Sequence, residues 1–437
     1  MSADSGKHFF KQAGWLVAAN LGCGVLMMAV HPLVNKEGVM SPAEYGVFAT
    51  LLKVFLLLGV PAAGLQAVFA LQSATAQEPA AQADFAASLR AVLRGTFALW
   101  LAVLATGLVF SDAICTTLKI SNSAALWATL GLGLTSLWLP IMRGVLQGRQ
   151  DFAGLGWTLM IDGIGRISAV VVLVILLNGQ AASAMAASLF SQLAAVALAW
   201  HATREVRSVV GGTFAWRPWL ARVLPLTLGM GAVVFISTAD AVFVQSQFPK
   251  EITALYQAGV IVGFGLGQFT LPIAAVMFPK IAGGAGSGQD AALRHTLLGT
   301  AALGGAVAVV CSLFPELPLR IVYFRDPDRY LPAAPLVPWF VSSILCLVMA
   351  NVLVQNLLAR ERFAIVPWLV LIAGGFAGGL WWVQPRLGGM EPMEAFQFVV
   401  QVLGVACVAL LGTAIFFTWG RGSNPKPTVQ ESTGREQ

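Results

Sequence analysis

The stretch AEYGVFATLLKVFLLLGVPAAGLQAVFA, residues 43–70, decides the fold. It stays apolar long enough to cross a hydrocarbon core ~30 Å thick, which takes about 20 helical residues. Only Glu44 and Lys53 are charged, and Gly59 and Pro61 lie inside it. A soluble helix tolerates such residues poorly. A membrane helix accepts them because neighbouring helices re-satisfy the freed backbone groups. The stretch also recurs. A shift of 211 residues lays it on ALYQAGVIVGFGLGQFTLPIAAVMF, residues 254–278, so that Ala43, Tyr45 and Pro61 meet Ala254, Tyr256 and Pro272. The same shift lays Arg149, Phe152, Ala153 and Trp157 on Arg360, Phe363, Ala364 and Trp368.

Working outward, apolar blocks of similar length fill the chain. Spans are expected near 10–33, 43–70, 90–110, 123–143, 155–177 and 181–201, then 221–246, 253–278, 294–314, 332–358, 363–384 and 393–419. Of the 437 residues, 57% are hydrophobic and 11% charged, against about a quarter charged in soluble domains, so most of this surface does not face water. The spacing therefore predicts an all-α membrane protein of twelve transmembrane helices. Six helices separate the repeats, an even number, which makes the halves two parallel six-helix lobes related by an axis along the membrane normal. The expected division is 1–205 and 206–420, followed by a disordered cytoplasmic tail at 421–437. With the N-terminus in the cytoplasm, 17 Lys and Arg fall on cytoplasmic segments and 7 on external ones. That bias satisfies the positive-inside rule and accounts for most of the net charge of +6.

Several classes are disfavoured on the same grounds. Lys7 and Lys11 precede an apolar run, as in a secretion signal. The run is too long and lacks a small-residue cleavage site, so a retained first helix is expected. Five scattered cysteines without a CxxC pair, and four histidines without ligand spacing, predict neither a disulfide framework nor a metal site. No concentrated basic face suggests nucleic acid. The external segment 314–331 places Glu316, Asp326 and Asp328 beside arginines without a catalytic pattern, so no enzyme is expected.

Charges inside spans are the candidate functional residues, because each costs about 2.5–3.5 kcal/mol to insert and needs a partner or a wet cavity. Lys53 stands alone near mid-membrane, which favours a water-filled, anion-binding cavity. Asp162 and Arg166 are four apart on one helix face. They form either a neutralising pair or a cavity wall that offers a planar fork to phosphate or carboxylate. Asp240 has three roles open to it: pairing with Lys53 or Arg166, holding a coupling cation, or carrying a proton. Gln66, Gln268 and Gln355, with Asn351, Asn356 and Gln401, are candidate polar contacts. Prolines 61, 140, 225, 272 and 367 are expected to interrupt spans.

Two tracts carry a family resemblance. Gly144-Val-Leu-Gln-Gly-Arg-Gln-Asp-Phe152, followed by a helix bearing Asp162 and Arg166, resembles the fourth-to-fifth helix junction of polysaccharide (O-antigen-type) flippases. Residues 240–281, with Ala254-Leu-Tyr256, Pro272 and Phe278-Pro-Lys280, resemble their seventh and eighth helices. These proteins belong to the multidrug/oligosaccharidyl-lipid/polysaccharide exporter superfamily. The resemblance implies V-shaped lobes in the bacterial cytoplasmic membrane that move an undecaprenyl-diphosphate-linked oligosaccharide between leaflets by alternating access. On that view Lys53 and Arg166 neutralise the diphosphate, no cofactor is needed beyond a coupling Na+ or H+, and membrane lipids and a glycan polymerase or glycosyltransferase are the partners. The polar tail leaves no room for the two extra helices of lipid II flippases, so that branch is not expected. The alternative is a multidrug antiporter of the same superfamily exporting an organic cation, which an acidic cavity would favour.

Overall fold

A computed structural model describes the backbone of residues 3–36, 38–282, 287–324 and 326–420; side chains of 3–13, 17, 63 and 267–292 lie outside the described residues, as does the expected tail 421–437. The described chain is helical, with no strands. In order the helices are α1 (Ala3–Val34), α2 (Pro42–Leu58), α3 (Ala62–Thr75), α4 (Pro79–Val109), α5 (Ser111–Thr117), α6 (Ala124–Gly148), α7 (Phe152–Val170, continued as a π turn to Leu176) and α8 (Ala181–Ala202). A short α9 (Arg204–Ser208) leads to α10 (Trp216–Ile236), α11 (Ala239–Gln247), α12 (Lys250–Ala282), α13 (Ser287–Leu313), α14 (Glu316–Val322), α15 (Val337–Ala359), α16 (Val366–Leu387) and α17 (Pro392–Ile415). Ten of the described helices are single rods long and apolar enough to cross a membrane. The α2–α3 pair and α12 occupy the remaining two expected spans. The all-α membrane fold is as the sequence predicts.

The repeat is visible bond by bond. The α6–α7 turn closes through Arg149 N–H to Val145 O, Gln150 N–H to Gln147 O and Asp151 N–H to Leu146 O. Shifted by 211 residues, Arg360 N–H bonds Asn356 O, Glu361 N–H bonds Leu358 O and Arg362 N–H bonds Leu357 O. Gln150 and Glu361 are both left-handed, with φ of 59° and 54°, a conformation uncommon outside glycine. The shift also carries the α6 end at Gly148 to the α15 end at Ala359, and the α8 start at Ala181 to the α17 start at Pro392. One hydrophobic cluster lies wholly in the second half, running from Ala232 to Phe417. A second draws on both halves, joining residues such as Val47 and Leu132 to Val262 and Val337.

The helix breaks differ from the proline reading. Pro61 does sit at one, between α2 and α3. Pro140 and Pro225 lie within continuous α6 and α10, and Pro367 opens α16. The break in the seventh span has no proline. Ser237 and Thr238 both donate their hydroxyls to Val234 O, at 2.8 and 2.7 Å, and such back-bonding competes with the helix ladder. Asp240 then falls in the first turn of α11, where aligned N–H groups favour a negative charge.

Helix α6 also runs past the expected end of its span at 143. Arg143, at the expected edge of the span and so not named among the interior charges, is inside a helix and largely buried. The packing of α6 on α3 explains the extra length: a Cβ on Gly144 would stand 2.5 Å from Gln66 O, and one on Gly148 2.3 Å from Ala70 O. Two glycines four apart let the backbones touch. Gly148→Val is expected to force these helices apart and lower thermal stability in detergent by about 1–3 kcal/mol, whereas Gly374→Val, where a Cβ meets open space, serves as the matched control.

Candidate functional site

Two cavities adjoin at Lys53. The first, about 280 Å³, is lined by α1, α2, α7, α8 and α12, with Lys53, Arg166, His31, Gln192 and Gln257 as its polar groups beside Asn20. The second, about 300 Å³, lies among α10, α12, α13 and α15 and carries Asp240, Thr300, Asn351 and Gln355. Lys53, Leu56 and Phe264 belong to both walls. The Lys53 ammonium sits 5.1 Å from the centroid of the Phe264 ring, a cation–π distance.

Arg166 is held from behind. Its guanidinium lies 3.5 Å from Asp162 Oδ1, and Asp162 Oδ2 lies 3.9 Å from Arg143 on α6. Ser191 donates to Asp162 Oδ1 at 3.2 Å, while Arg143 Nε donates to Thr158 Oγ1 at 3.0 Å. One carboxylate thus serves two arginines. The pair reading and the cavity reading meet here: Asp162 is buried behind the wall, and Arg166 both pairs with it and lines the cavity. Arg166 Nε is buried without a hydrogen-bond partner, so the guanidinium has donor capacity left over.

Asp240 is fully buried. Tyr256 donates its hydroxyl to Oδ2 at 2.8 Å, whereas Oδ1 has no partner at hydrogen-bonding geometry. Thr300 Oγ1 and Asn351 Oδ1 are likewise buried and unpartnered. All three oxygens belong to residues of the second cavity.

The remaining expected contacts divide. Gln355 lines the second cavity. Gln66 is not among the residues lining either one; it donates to Gln147 at 3.2 Å across the α3–α6 contact. The side chain of Gln268 lies outside the described residues. Arg143, His31, Gln192 and Thr300 were missed. His31 was legible as an ionisable residue inside the first span, and Arg143 needed the true end of α6.

At the end of the bundle farthest from the N-terminus, the halves are fastened together. His31 Nδ1 is 3.2 Å from Tyr45 OH, which is 3.0 Å from Tyr323 OH. Tyr323 stacks on Tyr330 at 4.3 Å, and Tyr330 donates to Asn35 Oδ1. Burial pushes the Tyr330 hydroxyl up to about 12, so it stays a neutral donor. Lys119 donates to the carbonyls of Gln245 at 2.8 Å, Ser246 at 3.3 Å and Phe248, closing the C-terminal end of α11. Gln257 reaches Thr50 at 2.8 Å in the same layer.

No protein-family profile and no curated protein sequence matches the chain. Solved structures do match in fold. The lipid II flippase MurJ in an inward closed conformation aligns with a TM-score of 0.68 at 14% identity, over 92% of this chain and 86% of that one. A multidrug resistance MATE family transporter of the MOP superfamily, in an inward-facing conformation, gives 0.67 at 13% identity, over 91% and 94%. A MOP superfamily transporter from Pyrococcus furiosus, described as having a binding pocket of reverse polarity, gives 0.57 at 12% identity, over 94% and 97%. The fold is therefore the one these transporters share.

Proposed function

We propose that this protein translocates an undecaprenyl-diphosphate-linked oligosaccharide across the bacterial cytoplasmic membrane by alternating access, its two lobes, 1–205 and 206–420, rocking about the cavities. The observation that carries this reading is the sign of the interior charge. Among the described residues, Lys53, Arg143 and Arg166 stand against Asp162 and Asp240 inside the bundle, an excess of one cation, and Asp162 is shared by two arginines. A diphosphate entering the first cavity meets Lys53 directly and the spare donor capacity of Arg166. A charge-assisted contact of this kind contributes about 1.5–3 kcal/mol. The apolar walls supplied by Met27, Met28, Phe48 and Phe55 suit the first isoprene units.

Asp240, Thr300 and Asn351 offer three unpartnered oxygens, the ligand type that suits a hard monovalent cation. In this reading they seat the coupling Na+. The fastened far end fits a state in which the external side is shut.

The test is twofold. Arg166→Ala is expected to impair glycan export more than Asp240→Asn does, measured as surface polysaccharide at equal protein levels. Wild-type export by both would remove the cavity roles. The second reading, a multidrug exporter, is favoured by the MATE likeness and the buried Asp240. It requires that the protein confer resistance to organic cations; in the flippase reading it confers none, and membranes lacking it accumulate lipid-linked oligosaccharide on the inner leaflet.

A further inference from the structure

Lys53 stands on the partition between the cavities and lines both. Among the described residues its ammonium has no hydrogen bond and no ion pair; the Phe264 ring is its recorded contact. Asp240 lines the second cavity together with Lys53. Its Oδ1 is buried with no partner at hydrogen-bonding geometry, and so are the oxygens of Thr300 and Asn351, residues that line the same cavity. A buried carboxylate oxygen in this condition calls for a cation or a donor. Two cations are at hand in this arrangement: a metal ion that also takes oxygens from Thr300 and Asn351, or the Lys53 ammonium. Both cannot occupy Oδ1, because like charges at contact distance repel strongly in a poorly solvated site.

We infer that Lys53 is an internal cation that competes with sodium for Asp240, so that filling the second cavity with sodium commits the ammonium to the anion site of the first. The Phe264 face supplies a halfway position. Lysine suits the exchange because its charge is compact and carried on a flexible stem, where the planar arginine fork is best matched to one bidentate partner. This rests on the anion-transport reading only for the identity of what Lys53 meets in the first cavity. Linkage then fixes the coupling: sodium raises anion affinity by the same factor by which the anion raises sodium affinity.

The test uses purified full-length protein in detergent, titrated calorimetrically with sodium and no lipid substrate. Lys53→Met is expected to tighten sodium binding by about tenfold, Asp240→Asn to abolish it, and Arg166→Met, which touches only the first cavity, to leave it unchanged. Unaltered sodium affinity in Lys53→Met, equal tightening in Arg166→Met, or no sodium binding by the parent protein each overturns the competition. A second titration uses geranyl diphosphate with and without sodium. Sodium should tighten its binding to the parent and leave Lys53→Met indifferent. Tightened sodium binding in Lys53→Met with no binding of geranyl diphosphate to the parent overturns the transport reading and leaves the competition standing. Geranyl diphosphate binding that sodium strengthens equally in both proteins overturns the competition alone.

Discussion

Lys53→Met should lower translocation by roughly 10- to 100-fold while the purified protein melts no earlier than its parent. The two halves of this expectation come from one fact: the ammonium is buried, yet the described residues give it neither a hydrogen bond nor an ion pair, only the Phe264 face. Methionine has nearly the same length and flexibility, so packing against Leu56 and Phe264 survives. Removing the charge also removes a desolvation penalty that the fold currently bears. Function moves the other way, since a diphosphate in the first cavity loses its one mobile cation. Flippase assays in proteoliposomes, with melting followed by intrinsic fluorescence, read both quantities. A fall in melting temperature together with retained transport would show that Lys53 serves packing and not the substrate.

Asp162→Ala should do the reverse and damage the fold first. The carboxylate is 4% exposed and stands between Arg143 and Arg166. Its loss leaves two buried guanidinium groups without their counterion, while Ser191 keeps the Ser188 carbonyl as an acceptor. Breaking a buried pair from one side costs about 3–5 kcal/mol, a large part of the stability of a folded protein. Little full-length protein is expected in the membrane. Adding Arg143→Met should recover part of the loss, because one of the stranded charges goes with it. Normal accumulation of Asp162→Ala would mean that water reaches both arginines in place of the carboxylate.

Much of this arrangement was legible in the sequence, for identifiable reasons. Span length is a direct consequence of bilayer thickness, so the rods were readable from apolar runs alone. The repeat was readable because turns constrain residue type: Arg149–Phe152 and Arg360–Phe363 build the same hydrogen-bonded corner. Lys53 announced itself by its cost in lipid. What escaped depends on three-dimensional convergence. Arg143 looked like a loop cation because its compensating acid is on the next helix. The seventh-span break was invisible to a search for proline, since Ser237 and Thr238 bend the helix through their side chains. Thr300 and Asn351 are unremarkable alone and gain meaning only where α13 and α15 bring them to the cavity that Asp240 also lines. Gln66 shows the converse, a polar residue in an apolar run that serves a helix contact.

The touch between Lys53 and Phe264 carries a last consequence. The 211-residue shift that relates the halves takes position 53 to position 264, so these are counterparts, and they meet face to face. Counterparts related by a twofold can be in contact only where its axis passes. The pseudo-dyad therefore runs through the septum, and the chambers on either side are built on corresponding helices. Their electrical characters differ: arginine on one flank, aspartate on the other, where the opposing copy has Ala377 and Ala29. The molecule thus sets opposite charges astride the line that relates its two repeats.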